Sequence, residues 1–247
     1  MPHPTFSVII ASRNPGPAIQ HALQSVSEQS AVSVEVVVID GNSDDGTIPW
    51  LLAQKSPDIT VLCEPDHSAY EAMNKGTKLA RGDWFVFLGA DDRLASSDVL
   101  AQVQAQIGMT QQGILTGEAK YTDGRIWSAP YKPNIYYRNF LHHQASFYHR
   151  SLFDNMHFDE SLRIQADYDF NLRLWLAGVR PKPLSIYIAQ CNAGGISDRG
   201  DWDNYREEIQ VRHRHLNTWR CLPWDSLSIA RYLRKKMIRK TASARPE

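Results

Sequence analysis

The chain has 247 residues, 43% of them hydrophobic, with 27 basic and 27 acidic side chains. That size supports one sizeable core, and no run of eighteen apolar residues is present to form a spanning helix. The three cysteines, Cys63, Cys191 and Cys221, are scattered, give neither a disulfide framework nor a metal spacing, and fit a reducing cytoplasm.

The zero net charge hides an asymmetry. Residues 227–247 carry seven basic side chains against Glu247, which leaves 20 basic against 26 acidic in the body. An acidic body argues against nucleic acid as a partner, and the basic tail needs its own explanation. The opening MPHPTFSVII lacks the basic flank and cleavage site of a secretory signal, so none is expected.

Residues 6–11 form a short β-branched run and read as a first strand, followed by a turn at 13–16 and a helix over 17–29. Residues 34–40 are apolar almost throughout, as buried parallel strands are. The loop 41–46 follows, and Thr47 is placed to cap the next helix. A strand at 59–63, a helix at 68–80 stopped by Gly82, and a strand at 83–88 come next, with a further helix beginning near Ser96. Strands alternating with helices imply an α/β domain with a mainly parallel sheet. Ligands bind beyond the carboxyl ends of such strands, where the loops at Arg13, Asp40, 64–66 and Asp91-Asp92 should line one edge.

The second half is less regular. Strands are expected at 113–121 and 125–128 around a turn, and a helix at 165–177 with Phe170, Leu174 and Ala177 on one face. A strand at 184–189 and helices at 201–216 and 226–240 complete the reading. The chain divides into a domain over 1–225 and a basic amphipathic tail over 226–247.

Two constellations carry chemistry. Asp91 and Asp92 end an apolar strand. Adjacent carboxylates suit a hard cation shared with a diphosphate, or the first Asp of a capped turn. The octet 40–47 places a carboxylate at a strand end where it can accept from a base or ribose, with Gly41 and Gly46 permitting close approach; it also reads as a polar turn.

The order of the pieces resembles the family 2 glycosyltransferases of the GT-A fold, a Rossmann-like sheet flanked by helices, and in particular bacterial enzymes of surface polysaccharide synthesis. The resemblance rests on SVIIASRN at 7–14, VIDGNSDDGT at 38–47, EPD at 64–66 with YEAMNKG at 70–76, FLGADD at 87–92, His143-Gln144, and FDESL at 158–162 leading to ADYDF at 166–170. It implies that Ala11, Arg13 and Asp40 line the base pocket, with Asp66 and Lys75 near base or ribose. Asp92 becomes the ligand of Mn²⁺ or Mg²⁺, with Asp91 near ribose or metal, and Asp167 the base that takes the acceptor proton. His143, Gln144 and Ser197 become acceptor or phosphate contacts, Ser197 within a loop at 194–197 that also reads as a simple turn.

The sequence departs from the family pattern at Ala11-Ser-Arg-Asn14 for Pro-Thr-Tyr-Asn, Asn42 for Gly, Gly89 for Asn, and Ala166 for a second acid.

The implied reaction is inverting, metal-dependent transfer of a hexosyl or N-acetylhexosaminyl group from a nucleotide sugar, UDP first, to a glycan hydroxyl. Ile229, Leu233 and Met237 fall at helical spacing among basic residues, which reads either as an interfacial helix on an anionic membrane or as a charged helix packed on the body. The first reading suits a lipid-diphosphate-linked acceptor and a cytoplasmic protein peripheral to the inner face of the membrane. Trp127, Tyr136 and Tyr137 read as acceptor-stacking rings or as core, and His213 and His215 as a solvated face. Asp169 reads as an orienting group. The alternatives are a nucleotidyltransferase, which wants a better phosphate loop than residues 11–16 offer, and a non-catalytic scaffold. A dinucleotide oxidoreductase lacks its G-x-G-x-x-G.

Overall fold

A computed structural model describes residues 3–54, 56–107, 113–129, 134–195 and 200–243. β1 (Phe6–Ser12), α1 (Ala18–Ser27), β2 (Val34–Asp40), α2 (Thr47–Ala53), β3 (Ile59–Cys63), α3 (Ala69–Leu79) and β4 (Trp84–Gly89) alternate as the apolar runs dictate. β5 (Arg93–Leu94), α4 (Val99–Ile107), β6 (Ile114–Tyr121), β7 (Ile126–Trp127), β8 (Ser146–His149), α5 (Ala166–Leu176), β9 (Lys182–Cys191), α6 (Trp202–His215) and α7 (Thr218–Ser243) follow. Single 3-10 turns at His143–Ala145 and Arg150–Phe153 flank β8.

The strand order is β3-β2-β1-β4-β8-β6-β9-β5, with β7 beside β6. β3, β2, β1 and β4 run parallel, while β8 lies antiparallel between β4 and β6. The parallel core β3-β2-β1-β4 is as expected, and β8, which the sequence reading missed, joins it to the parallel pair β6 and β9. Four residues without a polar-apolar alternation carry no strand signal alone; the neighbours on both sides make the strand.

Successive side chains point to opposite faces. Val8, Ile10, Val36, Val38, Val86 and Leu88 pack with Ile19, Leu23 and Val26 of α1. Ile9, Val37, Ile39, Phe85 and Phe87 pack with Tyr70 and Met73 of α3 and Phe170 of α5. Both faces are covered, so these strands read as unbroken apolar runs. The register aligns their ends: Ser12 lies opposite Asp40, Ala11 opposite Gly89, and Asp40 opposite Cys63. The loops expected along one edge do lie there.

Three local expectations are corrected. Thr47 does not cap α2; the cap is Gly46 at φ 92°, and the Thr47 amide donates to Asp45 Oδ1 at 3.0 Å. α5 buries nearly its whole circumference from Ala166 to Leu174, and Ala177 is exposed. The last helix starts at Thr218, runs through Pro223 and crosses the expected boundary at 225/226.

Glu35 is a buried brace at the opposite end of the sheet. It accepts from Ser7 Oγ at 2.7 Å, Arg81 Nε at 2.9 Å and the Gly82 amide at 3.1 Å, and also from the Arg81 amide. Burial pushes its carboxyl up, but the bonds from Ser7 and Arg81 outweigh that and hold it below its ordinary 4.5. Glu35→Ala leaves these donors unsatisfied and is expected to cost about 3 kcal/mol at pH 7. A depressed carboxylate stabilises the fold above its unfolded pKa and loses that contribution as pH falls through the folded value. The gap between wild type and variant in urea melts should therefore hold at neutral pH and shrink below pH 4.5. A gap independent of pH would remove Glu35 from this role.

Candidate active site

The sheet edge beyond β1 and β2 is organised around Asp40. Its carboxylate is fully buried and accepts from Ser12 Oγ at 2.9 Å, the Ser43 amide at 2.7 Å and Ser43 Oγ at 2.8 Å. Ser43 Oγ in turn accepts from the Asn14 amide at 2.7 Å. Asp40 thus fastens the 41–46 loop to the end of β1. Asn42 sits at φ 65°, a left-handed conformation that Asn tolerates better than other side chains, which accounts for its standing in place of Gly.

Asp66 closes against the same loop. A Cβ at Gly41 would meet Asp66 Oδ2 at 2.6 Å, so only glycine lets the carboxylate approach. Burial raises the Asp66 carboxyl, against the pull of Lys75 and Arg13. Lys75 itself is bound to Glu64 and Glu71, each at 2.9 Å, and donates to the Pro65 carbonyl at 3.0 Å. It braces the 64–66 turn. Arg13 is exposed and Ala11 half-buried at the end of β1.

The acid pair is asymmetric. Asp92 is 4% exposed, whereas Asp91 faces solvent. Asp92 Oδ2 accepts from Gln144 Nε2 and Oδ1 from the Asn192 amide, both at 2.8 Å. Asn192 Nδ2 donates to the Asp91 carbonyl at 2.7 Å. Gly89 is glycine because a Cβ there would collide with Asp92 Oδ2. Burial pushes the Asp92 carboxyl up, and the Asp91 charge adds to that. A buried carboxylate beside an exposed one fits a hard cation that completes its shell with phosphate oxygens and water. The pair supplies two donors, and no group of three or more His, Cys, Asp or Glu able to hold a metal occurs among the described residues.

Asp167 opens α5. Its Oδ1 accepts from the Tyr168 amide at 2.8 Å and from Tyr70 OH at 3.3 Å. Its Oδ2 accepts from Asn139 Nδ2 at 3.0 Å and lies 3.4 Å from His143 Nδ1. The 3-10 turn His143–Ala145 therefore bridges the two acidic centres: His143 reaches Asp167 while Gln144 holds Asp92.

Tyr70, Asn139 and Asn192 were not singled out from sequence. Tyr70 lies within the run at 70–76, but Asn139 and Asn192 sit in loops without a pattern to mark them. Ser197 lies outside the described residues. Asp169 does orient its surroundings, binding Arg173 Nε at 2.8 Å and His215 Nε2 at 2.7 Å. His213 pairs with Asp225 at 2.7 Å. His213 thus stays on an exposed face, as expected, while His215 is half-buried against Asp169. Tyr136 and Tyr137 are half-buried, and Trp127 is held by its indole N–H on the Phe140 carbonyl at 3.2 Å.

Residues 7–161 match the model of the family described as glycosyl transferase family 2. The chain is 33% identical over 207 residues to the PGL/p-HBAD biosynthesis glycosyltransferase of Mycobacterium bovis, covering 80% of this chain and 81% of that protein. It is 26% identical to the succinoglycan biosynthesis protein ExoO of Rhizobium meliloti over 78% of this chain and 63% of the relative.

Among solved structures, Staphylococcus aureus TarS 1-349 with UDP-GlcNAc superposes with a TM-score of 0.69 at 19% identity, covering 91% of this chain and 71% of that one. The chain spans 43% of a longer TarS chain. The mannosyltransferase PcManGT of Pyrobaculum calidifontis, with GDP-Man and Mn²⁺, gives a TM-score of 0.65 at 18% identity, covering 99% and 77%. These likenesses show the GT-A fold. The chain belongs to glycosyl transferase family 2 and is a glycosyltransferase.

Proposed function

We propose that the protein moves a sugar from a nucleotide-sugar donor, UDP-linked in the first instance, to a hydroxyl of a lipid-diphosphate-linked glycan, with inversion at the anomeric carbon. The observation that carries this reading is the His143–Ala145 turn, which ties Asp167 to the Asp91-Asp92 pair at one sheet edge. Asp40 and Asp66 shape the base pocket, with Arg13 at its rim. Asp91 and Asp92 would hold Mn²⁺ or Mg²⁺, which when bound supplies Lewis-acid stabilisation of the leaving diphosphate. Asp167 Oδ2 accepts the acceptor proton as the hydroxyl oxygen attacks the anomeric carbon. Asn139 and His143 fix the direction of that carboxylate. A nucleotide leaving group needs no acid partner, so one base suffices.

Calorimetry with UDP, GDP and dTDP, with and without Mn²⁺, tests the donor site. One nucleotide is expected to bind only with metal, and Asp92→Ala to weaken it by about a hundredfold. A folded protein that binds none of them in a metal-dependent way would overturn the reading.

The membrane partner is supported by α7. Trp219, Leu222, Ile229 and Leu233 recur at helical intervals and are all exposed, Trp219 at 84%. Arg220, Arg234 and Lys236 are exposed on the same helix, the pairing of apolar and basic groups that anionic interfaces attract. No helix among the described residues is long and apolar enough to cross a membrane. Ile229→Glu with Leu233→Glu should reduce co-sedimentation with phosphatidylglycerol vesicles about tenfold or more. Unchanged binding would leave α7 as a packed helix alone.

A further inference from the structure

We infer that the cleft lined by Trp127 and Arg138 receives an anionic sugar residue of the acceptor. This rests on the reading of Asp167 as the base. The cleft has a volume of about 300 Å³ and is lined by Trp127, Ser128, Asn134, Tyr137 and Arg138 among others. Its chemistry is two aromatic faces with one cation between them. The Arg138 guanidinium lies 5.1 Å from the Trp127 ring centre and 5.7 Å from that of Tyr137. Arg138 is exposed and has no carboxylate partner among the described residues. The carboxylate at the rim, Glu118, accepts instead from Ser128 Oγ at 2.8 Å.

A guanidinium stacked on rings keeps its charge, loses little freedom on binding, and presents a planar fork that matches carboxylate or phosphate. Aromatic walls with a few placed polar groups are the usual lining of a ligand pocket.

The cleft shares a wall with the base. Arg138, Asn139 and Phe140 are consecutive; Asn139 donates to Asp167 Oδ2 at 3.0 Å, and the Phe140 carbonyl holds the Trp127 indole at 3.2 Å. On the other side the His142 ring lies 5.9 Å from Trp127 and stacks on His143, which faces Asp167. A sugar seated in the cleft is thus bounded by the same short segment that aims the carboxylate. The cleft lies outside the loops of the nucleotide edge, so it serves the acceptor and not the donor. The anion it selects is a carboxylate of a uronic acid or a phosphate ester on the acceptor glycan.

Ligand-observed NMR on the full chain, with UDP and Mn²⁺ in excess to fill the donor site, compares glucuronate, glucose 1-phosphate and methyl glucoside. At least one anionic sugar is expected to bind about tenfold more tightly than the neutral one. The tighter of the two anions separates carboxylate from phosphate. Arg138→Gln should erase the preference, Arg138→Lys retain part of it, and Trp127→Ala weaken all three. UDP affinity, measured in parallel, should not change in Arg138→Gln. Equal binding of the neutral sugar, no binding of any, or a preference that survives Arg138→Gln would overturn the inference. Loss of nucleotide binding in the wild type is a separate result, which strikes at the donor site and leaves the Arg138 comparison standing.

Discussion

Asp167→Asn is expected to lower kcat for glycosyl transfer by about a hundredfold to ten-thousandfold, or ~3–5 kcal/mol of barrier, while donor affinity stays the same. The substitution keeps the shape of the side chain and its Oδ1, which accepts from the Tyr168 amide at 2.8 Å and from Tyr70 OH at 3.3 Å. It replaces the Oδ2 that faces Asn139 and His143 by a group that cannot take a proton. The loss should therefore appear in the chemical step and in neither folding nor nucleotide binding. Asp169→Asn is the matched control. Asp169 is two residues away on α5 but is buried between Arg173 and His215, so its loss should lower the unfolding midpoint more than the rate. Initial rates, nucleotide calorimetry and urea melts on both variants separate the two roles. A kcat for Asp167→Asn within about threefold of wild type would end its candidacy as the base.

Legibility followed the physics of each segment. β1, β2 and β4 were placed within a residue or two because they are buried on both faces and bounded by Gly, Pro and polar turns, and β3, only half-buried, by its β-branched and apolar run. Ser68 as the start of α3 was readable, and its hydroxyl does accept from the Glu71 amide at 3.1 Å. β8 was not readable, since its four residues become a strand only between β4 and β6. The start of α7 was missed because Pro223 reads as a break; it lies inside the helix, past the first turn, where it forgoes the bond to the Trp219 carbonyl. Asp91, Asp92 and Asp167 were legible as carboxylates in an ordered set of motifs. That Asp92 turns inward and Asp91 outward was not, because the difference comes from Gln144 and Asn192, which are 52 and 100 residues away in the chain. Long-range partners of this kind leave no local spacing to read.

The same limit hid the ionic centre between α6 and α7, where Arg212→Ala is expected to have the largest effect on stability. Arg212 is wholly buried. It donates to Asp225 at 2.9 Å, Glu208 at 3.0 Å, Ser228 Oγ at 2.7 Å and the Tyr137 carbonyl at 3.2 Å. Burial alone would push its pKa down, but Glu208 foremost outweighs that and holds it above its ordinary value.

Removing the cation leaves Glu208 and Asp225 buried together with their main counter-ion gone. Breaking a pair in this way costs about 3–5 kcal/mol. Replacing the whole set by apolar residues need not, because the desolvation cost of the charges goes with them. Arg212→Ala should thus lower the urea midpoint sharply, and Arg212→Met with Glu208→Leu and Asp225→Leu should recover most of the loss. Arg231, which contacts Glu208 and covers the Tyr137 ring at 4.7 Å, would lose its own partner in that triple variant, so recovery should be incomplete.

If Arg212→Ala unfolds with wild-type stability, α7 is not fastened by this centre. If it is destabilised and the apolar triple variant is no better, packing around Tyr137 and Trp224 rather than charge holds the helix. If recovery occurs, the charges fix where α7 docks and contribute little to how firmly it stays there.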